Sequence, residues 1–256
     1  MFDFNGRVVM ITGAAGGIGR GLCEAFLGWG ATVLAFDRDV SALEGMDGRL
    51  HKASPDLTDL DAVKAAVAAL TQTTGPVDIL VNNAGAAAAT ALSNLTPEAW
   101  IHDLAINLSA AYHCVEATKD AMFVRGAGVI INIGTVNAML ALGHPAYSAA
   151  KAGLVSYTRS LAVEYGPKGV RANLIAPGTV KTQAWAERAA KKPEVFDDLK
   201  KWYPLRDFAD PRDIANATAF LASDLGRMIT GVVLPVDAGL TAGNPVLAAE
   251  LTLEQF

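Results

Sequence analysis

The sequence is poor in the residues that build metal centres and disulfide frameworks. Its 256 residues include two cysteines and four histidines. Cys23 and Cys114 fall in apolar, helix-like patterns, so we expect buried thiols rather than a disulfide, which fits the cytoplasm. The histidines show no metal-ligand spacing, and we predict no metal site. They are His51, His102, His113 and His144.

Long apolar runs and basic clusters are also absent. No apolar run approaches the roughly 18 residues that a membrane span needs. The formal net charge is -5, and both signs are spread along the chain. We therefore expect neither nucleic acid nor a membrane as a partner. The first residues lead directly into a strand pattern, so we expect no signal peptide.

Apolar sequence is abundant instead. Hydrophobic residues make up 52% of the chain, which is enough for one substantial core. Short β-branched runs alternate with helical patterns, which predicts one α/β domain over residues 1–256. We expect a doubly wound, Rossmann-type fold, with a seven-stranded parallel sheet and helices on both faces. The predicted strands are 8–11, 32–36, 50–53, 78–81, 128–133, 170–175 and 232–236.

A glycine-rich turn, T-G-A-A-G-G-I-G at 12–19, follows the first predicted strand and opens a helix. Glycines let a backbone approach a pyrophosphate, whose charge the helix N-terminus stabilises. The spacing of Gly13, Gly17 and Gly19 differs from the common G-x-G-x-x-G fingerprint. The strand before it and the helix after it nevertheless predict dinucleotide binding.

An acidic residue, Asp37, ends the second predicted strand, 18 residues after Gly19. This is close to the separation of about 20 expected for a carboxylate that binds a ribose. The carboxylate would accept both hydroxyls of the adenosine ribose and repel a 2′-phosphate. Arg38 argues the other way, because a guanidinium there could stack on adenine or meet a phosphate. We predict NAD, with NADP as the less favoured alternative.

The segment P-A-Y-S-A-A-K-A-G-L at 145–154 is predicted to be helical. Tyr147 and Lys151 lie one turn apart on the same face of that helix. A nearby ammonium lowers the pKa of a phenol from about 10, so that it can exchange a proton with a substrate oxygen. The spacing alone is common, and an exposed surface pair is the alternative.

In this order and at these distances, the motifs resemble the short-chain dehydrogenase/reductase family in its compact single-domain branch. The resemblance covers residues 6 to about 243. It implies an adenine site at Asp56-Leu57, a cofactor-facing N-N-A-G segment at 82–85 and a nicotinamide-binding segment from Pro177. The cofactor residues implied are Gly13, Gly17, Ile18, Gly19, Asp37, Arg38, Asp56, Leu57, Asn83, Ala84, Gly85, Tyr147, Lys151, Pro177, Gly178, Val180 and Thr182.

The resemblance also implies catalytic roles. Tyr147 would be the acid-base, and Lys151 would lower its pKa and bind the nicotinamide ribose. Asn107 would hold a water behind Lys151. The family usually has a serine where this chain has Thr135, twelve residues before Tyr147. Threonine keeps the hydroxyl donor, so we predict a working substitute, with an impaired site as the alternative.

The remaining expectations concern the substrate and assembly. The resemblance implies a mobile lid over residues 179–208. We expect the basic side chains there, such as Arg188, to form a solvated face. The predicted substrate contacts are Thr135, Asn137, His144, Tyr147 and Trp185. The apolar tail 244–256 should pack on the lid or on a neighbouring subunit. Family members pair the helices of Asn107 and Tyr147 across a two-fold axis, which implies a homotetramer, or a dimer as fallback.

The resulting hypothesis is an oxidoreductase that transfers a hydride between NAD and a secondary alcohol or ketone. We expect a small polar substrate such as a sugar, polyol or hydroxy acid. One alternative is an NADP-dependent 3-oxoacyl-thioester reductase, against which Asp37 argues. Another is a catalytically impaired nucleotide-sensing protein, against which Tyr147, Lys151 and Asn107 argue, although Thr135 keeps it open.

Overall fold

A single parallel sheet forms the centre of the protein. The computed structural model describes residues 2–46 and 48–254, and the side chains of all of these except Ala184 and Glu187. The seven predicted strands are confirmed, with ends shifted by at most two residues. They are β1 Val8–Thr12, β2 Thr32–Phe36, β3 Leu50–Ala53, β4 Ile79–Asn82, β5 Gly128–Ile133, β6 Val170–Pro177 and β7 Val233–Val236.

The strands pair in parallel in the order β3-β2-β1-β4-β5-β6-β7. The chain runs outward in one direction from β1 to β3, then returns to β4 on the other side of β1. This reversal opens a crevice at the carboxyl ends of β1 and β4, where doubly wound folds bind their ligands. The doubly wound fold class is therefore confirmed.

Helices cover both faces of the sheet. They are α1 Gly17–Gly28, α2 Leu60–Thr74, α3 Pro97–Leu104, α4 Ala110–Arg125, α5 Pro145–Tyr165, α6 Gln183–Lys191, α7 Val195–Lys200, α8 Pro211–Ala222 and α9 Pro245–Thr252. Alternate residues of one strand point to opposite faces, so Val9 and Ile11 pack in the α1 and α8 layer, whereas Val8 and Met10 pack in the α2 and α4 layer. Burial on both faces explains why the strands read as continuous apolar runs.

A buried polar chain connects the centre of the sheet to α5. The Asn82 side-chain amide donates to Asn132 Oδ1 at 2.9 Å, and the Asn132 amide donates to Thr158 Oγ1 at 2.8 Å. Asn132 and Thr158 are fully buried. Because buried polar groups are costly unless paired, this chain restricts how α5 can sit against β4 and β5.

The carboxyl-terminal segment forms the helix α9. Its Leu247, Leu251 and Leu253 are 54%, 75% and 91% exposed, whereas Val246 is half-buried, so packing of the tail on the lid or on a neighbouring subunit stays a prediction. Phe256, part of the predicted tail, lies outside the described residues. Among the described helices, none combines the length and apolarity needed to cross a membrane.

Candidate active site

A cavity of about 590 Å³ opens at the carboxyl ends of the central strands. We call it the inner cavity. Every cofactor residue implied by the sequence lines it. It also contains residues that the sequence did not single out, because small and apolar residues look the same in a core and in a cleft. These are Gly16, Thr58, Ala86, His102, Ile106, Ile133 and Gly134.

The glycine turn is shaped by close packing. A Cβ added to Gly17 would lie 2.7 Å from Thr182 Cβ, and one added to Gly13 would lie 2.8 Å from Ala84 Cα. Gly13 also has φ of +62°, which favours glycine. The helix α1 begins after Gly16 without a side-chain cap. Its first backbone N–H groups therefore remain suited to bind an anionic group in the cavity.

Asp37 lies at the far end of the inner cavity, where β2 ends. Its Oδ2 accepts the Ala15 N–H at 2.9 Å, so the carboxylate is tied to the glycine turn. Arg38 and Asp56 line the same end of the cavity. This hydrogen bond holds the glycine turn and Asp37 together, although α1 and β2 lie between them in the sequence.

The lysine of the predicted catalytic pair is buried. Lys151 is 3% exposed, and its Nζ donates to the Ile133 carbonyl oxygen at 2.9 Å. Burial lowers the pKa of Lys151 to about 8. The Nζ lies 5.8 Å from the centroid of the Tyr147 ring. The helix α5 therefore brings both side chains to the inner cavity, one turn apart as predicted.

The expected lowering of the Tyr147 pKa is wrong for this structure. Burial of the phenol raises its pKa, and the hydrogen bond with Thr135 opposes this effect without overcoming it. The reason is physical: a phenolate in an apolar site loses its hydration, and this loss outweighs the neighbouring polar groups. The phenol is consequently the favoured form at neutral pH.

Thr135 stands directly after β5, beside Tyr147. Its hydroxyl donates to Asn137 Oδ1 at 3.3 Å and accepts the Asn137 N–H at 3.2 Å. The Asn137 side-chain amide donates in turn to the Gly143 carbonyl oxygen at 3.4 Å. Asn137 is a predicted substrate contact, but its side-chain amide already holds the turn before α5 through this hydrogen bond.

Asn107 lies in a single π turn over residues 105–109, between α3 and α4. Single π turns inside helices occur often at functional sites. The Asn107 amide donates to the Ala86 and Asp103 carbonyl oxygens at 2.7 and 2.9 Å. Its buried Oδ1 has no partner among the described residues. A Cβ added to Gly85 would lie 2.5 Å from that oxygen and 3.3 Å from Lys151 Nζ.

A second cavity of about 1190 Å³ adjoins the first beneath α6 and α7. We call it the outer cavity. The five predicted substrate residues all line it: Thr135, Asn137, His144, Tyr147 and Trp185. Arg188 lines it too, with its guanidinium 4.8 Å from the Trp185 ring centroid, so it is not simply part of a solvated face. The residue pattern of α6 gave no indication that Arg188 would line this cavity.

Comparison with known proteins gives the family. A family model described as enoyl-(acyl carrier protein) reductase matches residues 13–241. A crystal structure of a short-chain dehydrogenase/reductase family oxidoreductase from Burkholderia thailandensis is 53% identical, with a TM-score of 0.92 over 98% of both chains. The chain belongs to the short-chain dehydrogenase/reductase family. It is therefore an oxidoreductase of a family that binds a nicotinamide dinucleotide.

Curated relatives agree with this family. An uncharacterized oxidoreductase of Schizosaccharomyces pombe, C922.06, is 45% identical over 97% of this chain and 96% of its own. D-threitol dehydrogenase of Mycolicibacterium smegmatis is 38% identical over 94% and 95%. Galactitol 2-dehydrogenase (L-tagatose-forming) of Cereibacter sphaeroides is 34% identical over 94% and 97%.

The lowered pKa of Lys151 predicts how the free energy of unfolding changes with pH. The unfolded chain keeps this lysine protonated up to about pH 10.5, whereas the folded protein releases its proton near pH 8. The wild type therefore gains stability relative to a Lys151→Met variant as pH rises from 8 to 10.5. At about 1.4 kcal/mol per pKa unit, the relative gain is about 3 kcal/mol.

Urea unfolding of both proteins at a series of pH values measures this gain. The exposed Lys64, on α2, offers a control, because a Lys64→Met variant makes the same change without removing a buried ammonium. A Lys151→Met difference that stays constant from pH 8 to 10.5 would contradict the buried, proton-releasing lysine.

Proposed function

We propose that this protein is an NAD-dependent dehydrogenase that interconverts a secondary alcohol and its ketone. The observation that carries the proposal is the position of Tyr147 and Thr135. Both residues line the inner cavity and the outer cavity, at the place where the two join. A dinucleotide in the inner cavity and a substrate in the outer cavity would meet beside the same phenol and hydroxyl.

The residues of the inner cavity fit a nicotinamide dinucleotide. The turn at Gly13 and Gly17 leaves no room for side chains, and the start of α1 offers unpaired N–H groups. The buried Asn107 Oδ1 has no partner in the described part of the chain and lies near Lys151 Nζ, an arrangement that suits the bound water that the family implies. When bound, the nicotinamide supplies the hydride chemistry; the protein supplies position and proton transfer.

Tyr147 is the acid-base in this proposal. Its raised pKa keeps the phenol protonated in this structure, so it is ready to donate a proton to a ketone oxygen during reduction. During oxidation it must act as a base, so the phenol first loses its proton. The Thr135 hydroxyl and the Lys151 ammonium would stabilise the resulting phenolate, which then accepts the proton of the substrate hydroxyl. Lys151 and Asn107 would pass the proton towards solvent through water.

NAD is favoured over NADP by the carboxylate of Asp37. Since Asp37 is tied to the glycine turn at Ala15, it cannot move aside easily from a 2′-phosphate. Arg38 is exposed and lines the same end of the cavity, and its positive charge favours a phosphate. A fixed negative charge next to the ribose would repel the 2′-phosphate of NADP, and this repulsion gives specificity for NAD.

We propose a small polar alcohol as the substrate, and a polyol fits best. Two relatives, at 38% and 34% identity, are named as threitol and galactitol dehydrogenases. One observation favours the alternative, a 3-oxoacyl-thioester reductase: the family model that matches this chain is described as an enoyl-(acyl carrier protein) reductase. Asp37 argues against it, because we expect such a reductase to use NADP.

The lid and the assembly are part of the proposal. We infer one domain over residues 1–256, with 179–208 closing the outer cavity. Phe196 on α7 packs against Trp185 on α6 and against Phe208, with tilted rings whose centroids are 5.8 and 5.3 Å apart, so α6 and α7 are joined by aromatic contacts. The two free cysteines are buried, which is compatible with the cytoplasm that we propose.

Replacing Tyr147 by phenylalanine tests the acid-base assignment. The variant lacks only the phenolic oxygen, so we expect NAD to bind as in wild type and kcat to fall by about 10²–10⁴-fold. NAD affinity is measured by calorimetry, and turnover by absorbance of reduced nicotinamide with a panel of polyols. Equal kcat in both proteins would refute the role of Tyr147, and absence of turnover by wild type would favour the sensor alternative.

Replacing Asp37 by asparagine tests the cofactor assignment. The amide oxygen can still accept the Ala15 N–H, but the negative charge that repels a 2′-phosphate is gone. We expect the ratio of kcat/KM for NAD to that for NADP to fall by at least about tenfold. An Asp39→Asn variant, which changes an exposed carboxylate two residues away, should leave the ratio unchanged. A wild type that prefers NADP would contradict the proposal.

Apolar side chains on the outer faces of α4 and α5 support a homotetramer. Tyr112 is 44% exposed and meets Tyr157 edge to face at 6.3 Å, and the leucines of α9 are also uncovered. Light scattering should give the mass of four chains, and Tyr112→Glu should give smaller species because it charges this face. Lys64→Glu, on α2, should keep the wild-type mass. A monomeric wild type would rule out the assembly.

A further inference from the structure

We propose that His144 determines substrate specificity by accepting a hydrogen bond from a hydroxyl on the carbon next to the reacting carbon. The protein would then select 1,2-diols, and α-hydroxyketones in the reverse direction, over simple secondary alcohols. This inference rests on the proposed function, because the reacting carbon is placed by Tyr147 and Thr135.

The backbone holds His144 in an unusual position. His144 has φ of +53° and follows Gly143, whose φ is +85°, directly before α5. The His144 N–H donates to the Thr90 carbonyl oxygen at 2.9 Å, and the His144 carbonyl oxygen accepts the Ser148 N–H at 2.8 Å. Left-handed backbone is unfavourable for a residue with a Cβ and clusters at functional sites.

The Gly143 carbonyl oxygen is held by two side chains. Ser148 Oγ donates to it at 2.9 Å, and Asn137 Nδ2 donates to it at 3.4 Å. Because Asn137 is also bonded to Thr135, the turn that carries His144 is linked to the hydroxyl that faces the substrate oxygen. The imidazole is therefore positioned relative to the reacting carbon.

One nitrogen of the ring is used by the protein. His144 Nδ1 lies 3.2 Å from the Ala89 carbonyl oxygen. A carbonyl oxygen only accepts hydrogen bonds, so Nδ1 must carry the hydrogen. In the neutral imidazole this leaves Nε2 as an acceptor, and no partner for it occurs among the described residues. The ring meets Tyr147 edge to face, with centroids 6.4 Å apart.

The surroundings make this acceptor selective. His144 lines the outer cavity together with Leu140, Leu142 and Ala87, which offer no side-chain donor. No Asp or Glu belongs to the described lining of that cavity. A substrate without the neighbouring hydroxyl would displace water from Nε2 and replace it with carbon. Leaving a polar group unpaired in this way costs about tenfold to hundredfold in kcat/KM.

The test compares 2,3-butanediol with 2-butanol, which differ only in the hydroxyl next to the reacting carbon. With NAD, the wild type should prefer the diol by at least about tenfold in kcat/KM. His144→Asn tolerates the positive φ but has a shorter side chain. It should lose about tenfold or more with the diol and stay within about threefold with 2-butanol. A wild type without preference, or a variant that loses both substrates equally, would overturn the proposal.

Ser148→Ala is the matched control. It removes a hydrogen bond to the same turn but keeps the imidazole, so the ratio between diol and 2-butanol should stay at the wild-type value. If Ser148→Ala lowered that ratio as much as His144→Asn does, the effect would come from the shape of the turn. The imidazole would then not be the group that recognises the hydroxyl.

Binding separates this inference from the proposed function. If neither alcohol is oxidised, ligand-observed NMR gives the affinity of each for the protein in the presence of NAD. Tighter binding of the diol, abolished in His144→Asn, would support His144 although the proposed dehydrogenase had failed. Equal affinities of the two alcohols would overturn the role of His144. Oxidation of both alcohols at equal rates would overturn it too, while leaving the dehydrogenase intact.

Discussion

The hydrogen bond from buried Lys151 to the Ile133 carbonyl oxygen is the contact on which the site depends. An ammonium that is 3% exposed must find acceptors in the protein, and the carboxyl end of β5 supplies one. The same contact fixes the distance between α5 and β5, and hence between Tyr147 and Thr135. It also places the Lys151 Nζ near the Asn107 Oδ1, which has no partner among the described residues. Burial of one ammonium therefore positions α5, β5 and the π turn at 105–109 relative to one another.

The second constraint is the tight packing around the glycine turn. Gly13 and Gly17 leave no space for a Cβ, since Ala84 and Thr182 lie within contact distance of where it would be. This closeness brings β1, the N-N-A-G segment and the segment after β6 to one cleft. Tyr147 and Thr135 line both this inner cavity and the outer cavity.

The sequence predicted the strands because their signal is local, and the residues implied for the cofactor line a single cavity because they end neighbouring parallel strands. A strand buried on both faces is an apolar run, and side chains at the carboxyl ends of parallel strands share one edge. It did not predict that Asn137 braces the Gly143 turn, that Arg188 reaches the outer cavity, or that burial raises the pKa of Tyr147. Each of these depends on neighbours far away in the chain.

The amino-acid sequence by itself determined the fold class, the spacing of Tyr147 and Lys151 on one helical face, and the glycine pattern of the dinucleotide turn. The periodicity of side chains and the steric need for glycine can both be read from residues that are close together in the sequence. Only the tertiary structure decided the tautomer of His144, through the Ala89 carbonyl, and the upward shift of the Tyr147 pKa, through desolvation. Both arise from groups that folding brings together, and no local pattern encodes the dielectric environment or the hydrogen-bond partner of a side chain.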